Sequence, residues 1–151
     1  MHTDQNKYEE SYFTKKIINA PIIIWWTPFT LDLGSYTKCG ETKKACYVTN
    51  VRKYRDHNNT KAFLYYGSDF YLHDLPLPRR PHEEWGLLHE ESPKNNFLFS
   101  FERIMKMFNH TSTFKRESDS VFIFQSFFFS FPLNLENKFF LAFNYSIFDE
   151  Y

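Results

Sequence analysis

The chain has 151 residues, enough for one domain with a single core. Its 18 basic and 18 acidic residues balance, so the composition gives no reason to expect a nucleic-acid or membrane-surface partner. Aromatic residues make up 21%, and ten of the 19 Phe fall in the last 31 residues, which sets that segment apart from the rest.

Residues 1–16 are polar and charged, and residues 1–19 are expected to form an exposed lead-in or stem. The longest apolar run nearby, Pro21 to Trp26, is far shorter than the ~20 residues that span a bilayer. If the protein works in the secretory pathway, its targeting segment is expected to lie outside this chain. Ile22-Ile23-Ile24-Trp25-Trp26 is a β-branched and aromatic run without alternation, which predicts a strand covered on both faces of a parallel α/β sheet. A core role for the two Trp competes with a second one, stacking on a sugar.

Residues 29–44 read as a loop with Gly34 and Gly40, closed by Cys39 and Cys46. Two cysteines are either free thiols in a reducing compartment or one local disulfide in an oxidising one. The residues between them are polar, so burial of both in one apolar core is not expected. Their spacing is poor for a zinc half-site. Three N-glycosylation triplets begin at Asn58, Asn109 and Asn144, and with the cysteine pair they favour a secretory lumen.

Ala45–Val51 is the next strand candidate, and Arg52–His57 a basic turn expected to face solvent. Ala62–Tyr66 predicts a buried strand that ends in Gly67-Ser68-Asp69. No phosphate-binding glycine fingerprint occurs anywhere. The Pro-rich stretch Leu75–His82 predicts an extended connector. It delivers the chain to a short buried strand, Trp85–His89, that runs into two carboxylates, Glu90 and Glu91. Pro93 ends that element, because proline has no N–H for the ladder. A carboxylate on a hydrogen-bonding loop at a strand end is a common place for a general base and, more often still, a solvated turn. Phe97, Phe101, Ile104 and Phe108 are spaced four, three and four apart, which predicts a helical apolar face. The segment 109–113 is polar and β-prone. From Val121 the chain is Phe-rich without helical or alternating logic, and is an aggregation hazard if exposed.

The motifs Glu90-Glu91-Ser92-Pro93-Lys94-Asn95-Asn96, Phe108-Asn109-His110-Thr111-Ser112-Thr113-Phe114 and Lys115-Arg116-Glu117-Ser118-Asp119 resemble the alpha-1,3-fucosyltransferase family. The family pattern is Glu-Ser-Pro, a spacer, Phe-Asn-x-Thr, an aromatic, a basic residue and Ser-Asp. The form found here looks most like the divergent branch associated with protein O-fucosylation. The resemblance covers residues 20 to about 120. Residues 121–151 fall outside it and are expected to be a non-family tail, such as translated intron.

The resemblance implies an α/β fold: the Rossmann-like, acceptor-side N-terminal half of a GT-B glycosyltransferase, incomplete here. It implies transfer of L-fucose from GDP-fucose, with inversion, to a protein or glycoprotein hydroxyl. Inversion in one displacement needs a base, and Glu91 matches the family's Glu-Ser-Pro glutamate. Ser92, Asn95 and Asn96 would shape the acceptor loop, with His89 and Trp85 supporting it from the core. Asn109 and Asn58 are the expected glycan acceptors. Arg116 and Asp119 match residues near an inter-domain hinge. The fragment is expected to bind no donor or metal and to be inactive alone. The full-length form is expected in the Golgi or ER lumen, held by an anchor outside this chain. A non-catalytic glycan- or protein-binding module is the alternative.

Overall fold

The computed structural model describes residues 19–28, 34–39, 44–91, 95–113, 118 and 120–121. The described residues form a seven-stranded sheet in the order β2-β3-β1-β4-β5-β6-β7. The strands are β1 (Ile22–Thr27), β2 (Ser35–Cys39), β3 (Lys44–Thr49), β4 (Thr60–Tyr66), β5 (Glu84–His89), β6 (His110–Thr113) and β7 (Ser120–Val121). All neighbours are parallel except β2 and β3. Strand order reverses at β1, which has β3 on one side and β4 on the other. Helical structure among the described residues is brief. It consists of 3-10 turns at Arg52–Asp56, Gly67–Asp69 and Phe97–Ser100, and one α-helical turn, α1 (Glu102–Met105). No described helix is long and apolar enough to cross a membrane.

Period-two alternation sends the apolar run of β1 to both faces of the sheet. Ile22, Ile24 and Trp26 join Phe63, Tyr65, Trp85, Leu87, Phe70, Phe99 and Phe108 on one face. Ile23 joins Ala62, Leu64, Leu88, Val48 and both cysteines on the other. The first face is an aromatic cluster. Tyr65 packs against Trp85 at 5.4 Å and Phe108 at 5.7 Å, and Phe70 against Phe99 at 5.6 Å. Each fully buried large apolar side chain here contributes about 1.5–3 kcal/mol.

Four expectations are corrected. Residues 35–39 of the expected loop form β2, the antiparallel edge strand, paired Ser35↔Val48 through Cys39↔Lys44. Its sequence, Ser-Tyr-Thr-Lys-Cys, is mostly exposed and lacks an apolar run, so periodicity hides it. Cys39 and Cys46 are both buried despite the polar residues between them, because the hairpin turns both onto one face, where they form a disulfide with Cα atoms 5.7 Å apart. The spacing of Phe97, Phe101, Ile104 and Phe108 does not make one helical face. A 3-10 turn followed by a single α-turn rotates Phe97 and Phe101 outward, 65% and 53% exposed, and puts Phe99 inside. The basic turn is not simply a solvated face. Arg52 makes a two-point ion pair with Asp74 (2.8 and 2.6 Å), and Arg55 donates to the Pro76 and Pro78 carbonyls, which fastens the Pro-rich connector to the sheet.

That connector ends in a second anchor. Arg79 lies over the Trp85 ring at 4.7 Å and donates to the Glu83 and Met107 carbonyls. Glu83 is buried, accepts from the Arg80 backbone N–H at 3.0 Å and lies 3.4 Å from the Arg80 guanidinium. Such a carboxylate is tolerated inside because it is paired. Together these contacts fix the point at which β5 enters the sheet.

Candidate active site

In open parallel sheets, ligands gather outside the carboxyl ends of the strands, near the point where strand order reverses. Here that point lies between β1 and β4. Thr27 closes it: the Thr27 hydroxyl donates to the Tyr66 carbonyl at 3.1 Å and accepts from the Tyr66 N–H at 2.7 Å. A register shift between Trp25 and Thr27 accompanies this clamp. The carboxyl end of the next strand, β5, delivers His89, Glu90 and Glu91 to the same edge.

β5 runs inward as Trp85-Gly86-Leu87-Leu88-His89, all buried, so the chain meets solvent only at Glu90. The Tyr66 hydroxyl donates to Glu90 Oε1 at 2.7 Å. Burial, reinforced by the Glu90 carboxylate, pushes the Tyr66 hydroxyl above its ordinary pKa, so it remains a proton donor at neutral pH. Glu91 follows at a bend, half-buried, and accepts no side-chain hydrogen bond from a described residue. Among the described residues, therefore, Glu90 is held by a phenol and Glu91 by no side-chain hydrogen bond.

His89 is 1% exposed, and both its ring nitrogens are buried without a hydrogen-bond partner among the described residues. Its ring packs on Phe99 at 4.6 Å. Burial holds its pKa below the ordinary imidazole value, with the Glu91 and then the Glu90 charge opposing that shift. The imidazole is accordingly neutral.

The remaining sequence-derived residues divide as follows. Asn96 lies at the end of the carboxylate loop. Its Nδ2 donates to the Gly67 carbonyl at 3.0 Å and its Oδ1 accepts from Leu98 N at 3.2 Å, capping the next turn. Asn95 is exposed beside it. Ser92, Arg116 and Asp119 lie outside the described residues, as do the triplet at Asn144 and the segment after Val121. Asn58 is exposed in a turn before β4. Asn109 is exposed as well, yet its Oδ1 accepts from Trp85 N at 3.0 Å and from Arg79 Nη2. Cys39 and Cys46 belong to the Ile23 cluster, against which Tyr66 also packs, and lie on β2 and β3 rather than on the strands that carry the carboxylates. Trp26 is a core residue: its indole N–H donates to the Asp74 carbonyl at 2.6 Å, and Arg52 covers its ring at 4.3 Å.

Sequence reasoning marked the polar strand end Gly67-Ser68-Asp69 but passed over Tyr66 and Arg79. A signal existed for Tyr66. Tyr66-Gly67 closes a buried strand, and a polar-tipped aromatic beside a glycine at a strand's carboxyl end suits a site. Arg79 carried no such signal, because its partners are backbone carbonyls brought together only by folding.

A family model for the N-terminal domain of fucosyltransferases matches residues 18–125. The chain is 48% identical over 99 residues to GDP-fucose protein O-fucosyltransferase 3 of Rattus norvegicus, covering 66% of this chain and 20% of that protein. Against the protein of the same name from Homo sapiens, identity is 41% over 127 residues, covering 78% and 26%. For Danio rerio the figures are 46% over 101 residues, 67% and 22%. The chain thus spans about a fifth to a quarter of the length of these curated relatives.

Proposed function

Because the chain belongs to the fucosyltransferase family, through that family's N-terminal domain, we propose that it is the acceptor-side, Rossmann-like half of a GT-B enzyme that moves L-fucose from GDP-fucose to a protein hydroxyl. The observation that carries this reading is the pair of unlike carboxylates at the carboxyl edge of β5, one strand from the reversal point, inside the matched segment. The relatives' shared name supports a protein acceptor.

In this reading Glu91 is the general base. The acceptor oxygen attacks the anomeric carbon of fucose as the bond from that carbon to the diphosphate oxygen breaks. The hydroxyl proton passes to the Glu91 carboxylate, and GDP leaves with the bonding pair. Configuration inverts because attack and departure occur on opposite faces. Glu90 is held by Tyr66 and takes no proton. Ser92 and Asn95 lie on the acceptor side of the loop. Transfer is proposed to require sequence corresponding to the rest of the relatives' length, where the donor would be held. A Golgi or ER lumenal setting fits the buried disulfide.

The test is fucosyl transfer from labelled GDP-fucose to a pool of secreted glycoproteins. Three proteins are compared: this chain, the full-length gene product, and that product carrying Glu91→Gln. Transfer by the full-length product alone, lost in the Gln variant, is the expected result. Transfer by neither unsubstituted protein favours a binding module. Transfer by the 151-residue chain overturns the claim that the donor is held elsewhere.

A further inference from the structure

The described carboxylates divide by their place in the fold. Asp56, Asp74, Glu83, Glu84 and Glu102 each lie against an Arg, Lys or His side chain. Asp69, Glu90 and Glu91 form no ion pair among the described residues, and they stand where β4 and β5 end. β4 finishes at Tyr66, opposite Leu88, and the turn Gly67–Asp69 leaves it beside the point where Glu90 leaves β5. One phenol ties the two exits together. The Tyr66 hydroxyl donates to Glu90 Oε1 at 2.7 Å, and its oxygen accepts from Ser68, the neighbour of Asp69. Thr27 fixes the Tyr66 backbone through both its N–H and its carbonyl. Asp69 is exposed and Glu90 half-buried.

A second observation is independent of the charges. His89 is 1% exposed, and neither ring nitrogen has a hydrogen-bond partner among the described residues. Its Nδ1 is turned to Gly67, in the middle of the Tyr66–Ser68 segment, and the ring feels the Glu91 and Glu90 charges. A buried orphan of this kind calls for a partner that the described residues do not supply. A neutral imidazole keeps a lone pair for a donor and adds no positive charge to offset the carboxylates.

We propose that Asp69 and Glu90 are acceptor-binding residues that select a protein hydroxyl flanked by Lys or Arg side chains. This rests on the reading of the β5 edge as the acceptor side of a fucosyltransferase, and names the acceptor's chemistry. A cationic N–H donor makes its strongest hydrogen bonds to carboxylate oxygens. An acidic patch steers basic partners in and penalises acidic ones. The same charges repel a diphosphate, in keeping with a donor held elsewhere. Tyr66 orients Glu90, and Glu91 remains the base.

The experiment uses the full-length protein as wild type, Asp69→Asn, Glu90→Gln and Glu91→Gln. Glu90→Gln keeps an oxygen for the Tyr66 hydroxyl and removes only the charge. The probes are two labelled peptides, a serine flanked by lysines and the same serine flanked by glutamates. Fluorescence anisotropy gives their affinities at low and high salt, and kcat and KM for GDP-fucose are measured with the secreted glycoprotein pool. In the wild type the lysine peptide should bind about tenfold tighter than the glutamate peptide at low salt, and the margin should shrink at high salt. Asp69→Asn and Glu90→Gln should each weaken the lysine peptide by about tenfold, the scale of one charge-assisted hydrogen bond, with KM for GDP-fucose within about twofold. Equal binding of the two peptides, or binding of neither, overturns the proposal, and so does a lysine preference that both variants keep. A raised KM for GDP-fucose with peptide binding unmoved overturns it as well, because the carboxylates then serve cations of the enzyme itself. Wild-type kcat in Glu91→Gln overturns the base assignment instead, and the peptide comparison still decides the acceptor preference.

Discussion

His89 and Gly67 touch so closely that no side chain fits between them. A Cβ added to Gly67 would stand 2.7 Å from His89 Cγ and 2.8 Å from its Cβ. The glycine is needed for this approach and not for an unusual backbone angle. The contact joins the carboxyl ends of β4 and β5.

Gly67→Ala should therefore destabilise the fold by about 1–3 kcal/mol, the usual cost of overpacking a closed site. The loss should be smaller when His89→Ala is present, because the clash is then relieved. A double-mutant cycle by urea unfolding checks this, and additive effects would show that the contact does not carry the strain.

The buried His89 also makes stability depend on pH. Its folded pKa lies below its ordinary value of 6.5, chiefly through burial, so the unfolded chain binds a proton more readily than the folded one. Stability is full above about pH 6.5 and falls as pH drops from there towards the folded pKa. The slope in that window is at most about 1.4 kcal/mol per pH unit for one proton. Urea midpoints between pH 7.5 and 5 should show the decline in the wild type and a shallower one in His89→Gln.

Asn109 combines a glycosylation triplet with a structural task. Its Oδ1 takes the N–H of Trp85, at the entry of β5, and also an Arg79 N–H. Asn109→Ala leaves that backbone donor without its acceptor, which should cost about 1–3 kcal/mol. Thr111→Val abolishes the triplet but keeps Oδ1 in place, so its effect on stability should be the smaller of the two. Thermal unfolding of both variants made without glycosylation separates the roles, and mass spectrometry of the secreted protein reports whether Asn109 carries a glycan.

The Cys39–Cys46 disulfide closes a short hairpin at the sheet edge, with a sequence separation of 7. Chain-entropy reasoning for so short a loop gives a stabilisation of about 2.5 kcal/mol. The Cys39→Ala, Cys46→Ala double variant should lose about that much. Hydrogen exchange should rise first in β2 and β3, leaving β4 and β5 protected. Equal loss of protection across the whole sheet would show that the hairpin is not a separate unit of stability.

Several elements were legible in the residues themselves. The β-branched and aromatic runs at 22–26, 62–66 and 85–89 became the central strands, because a strand covered on both faces needs continuous apolar sequence, and little else supplies it. The motifs running from Glu90 to Asp119 pointed to the family that the matched segment bears out. Tertiary structure decided the rest. Ser35–Cys39 became a strand only because β3 offered an open edge, and edge pairing leaves no apolar signature. Phe99 went inside in place of Phe97 and Phe101, because turn geometry, and not residue spacing, set the direction of each ring. Sequence placed two adjacent glutamates at a strand end and ranked them by resemblance alone. That Glu90 is held follows from Tyr66, 24 residues upstream of it, and only the parallel pairing of β4 with β5 brings that hydroxyl within hydrogen-bond reach.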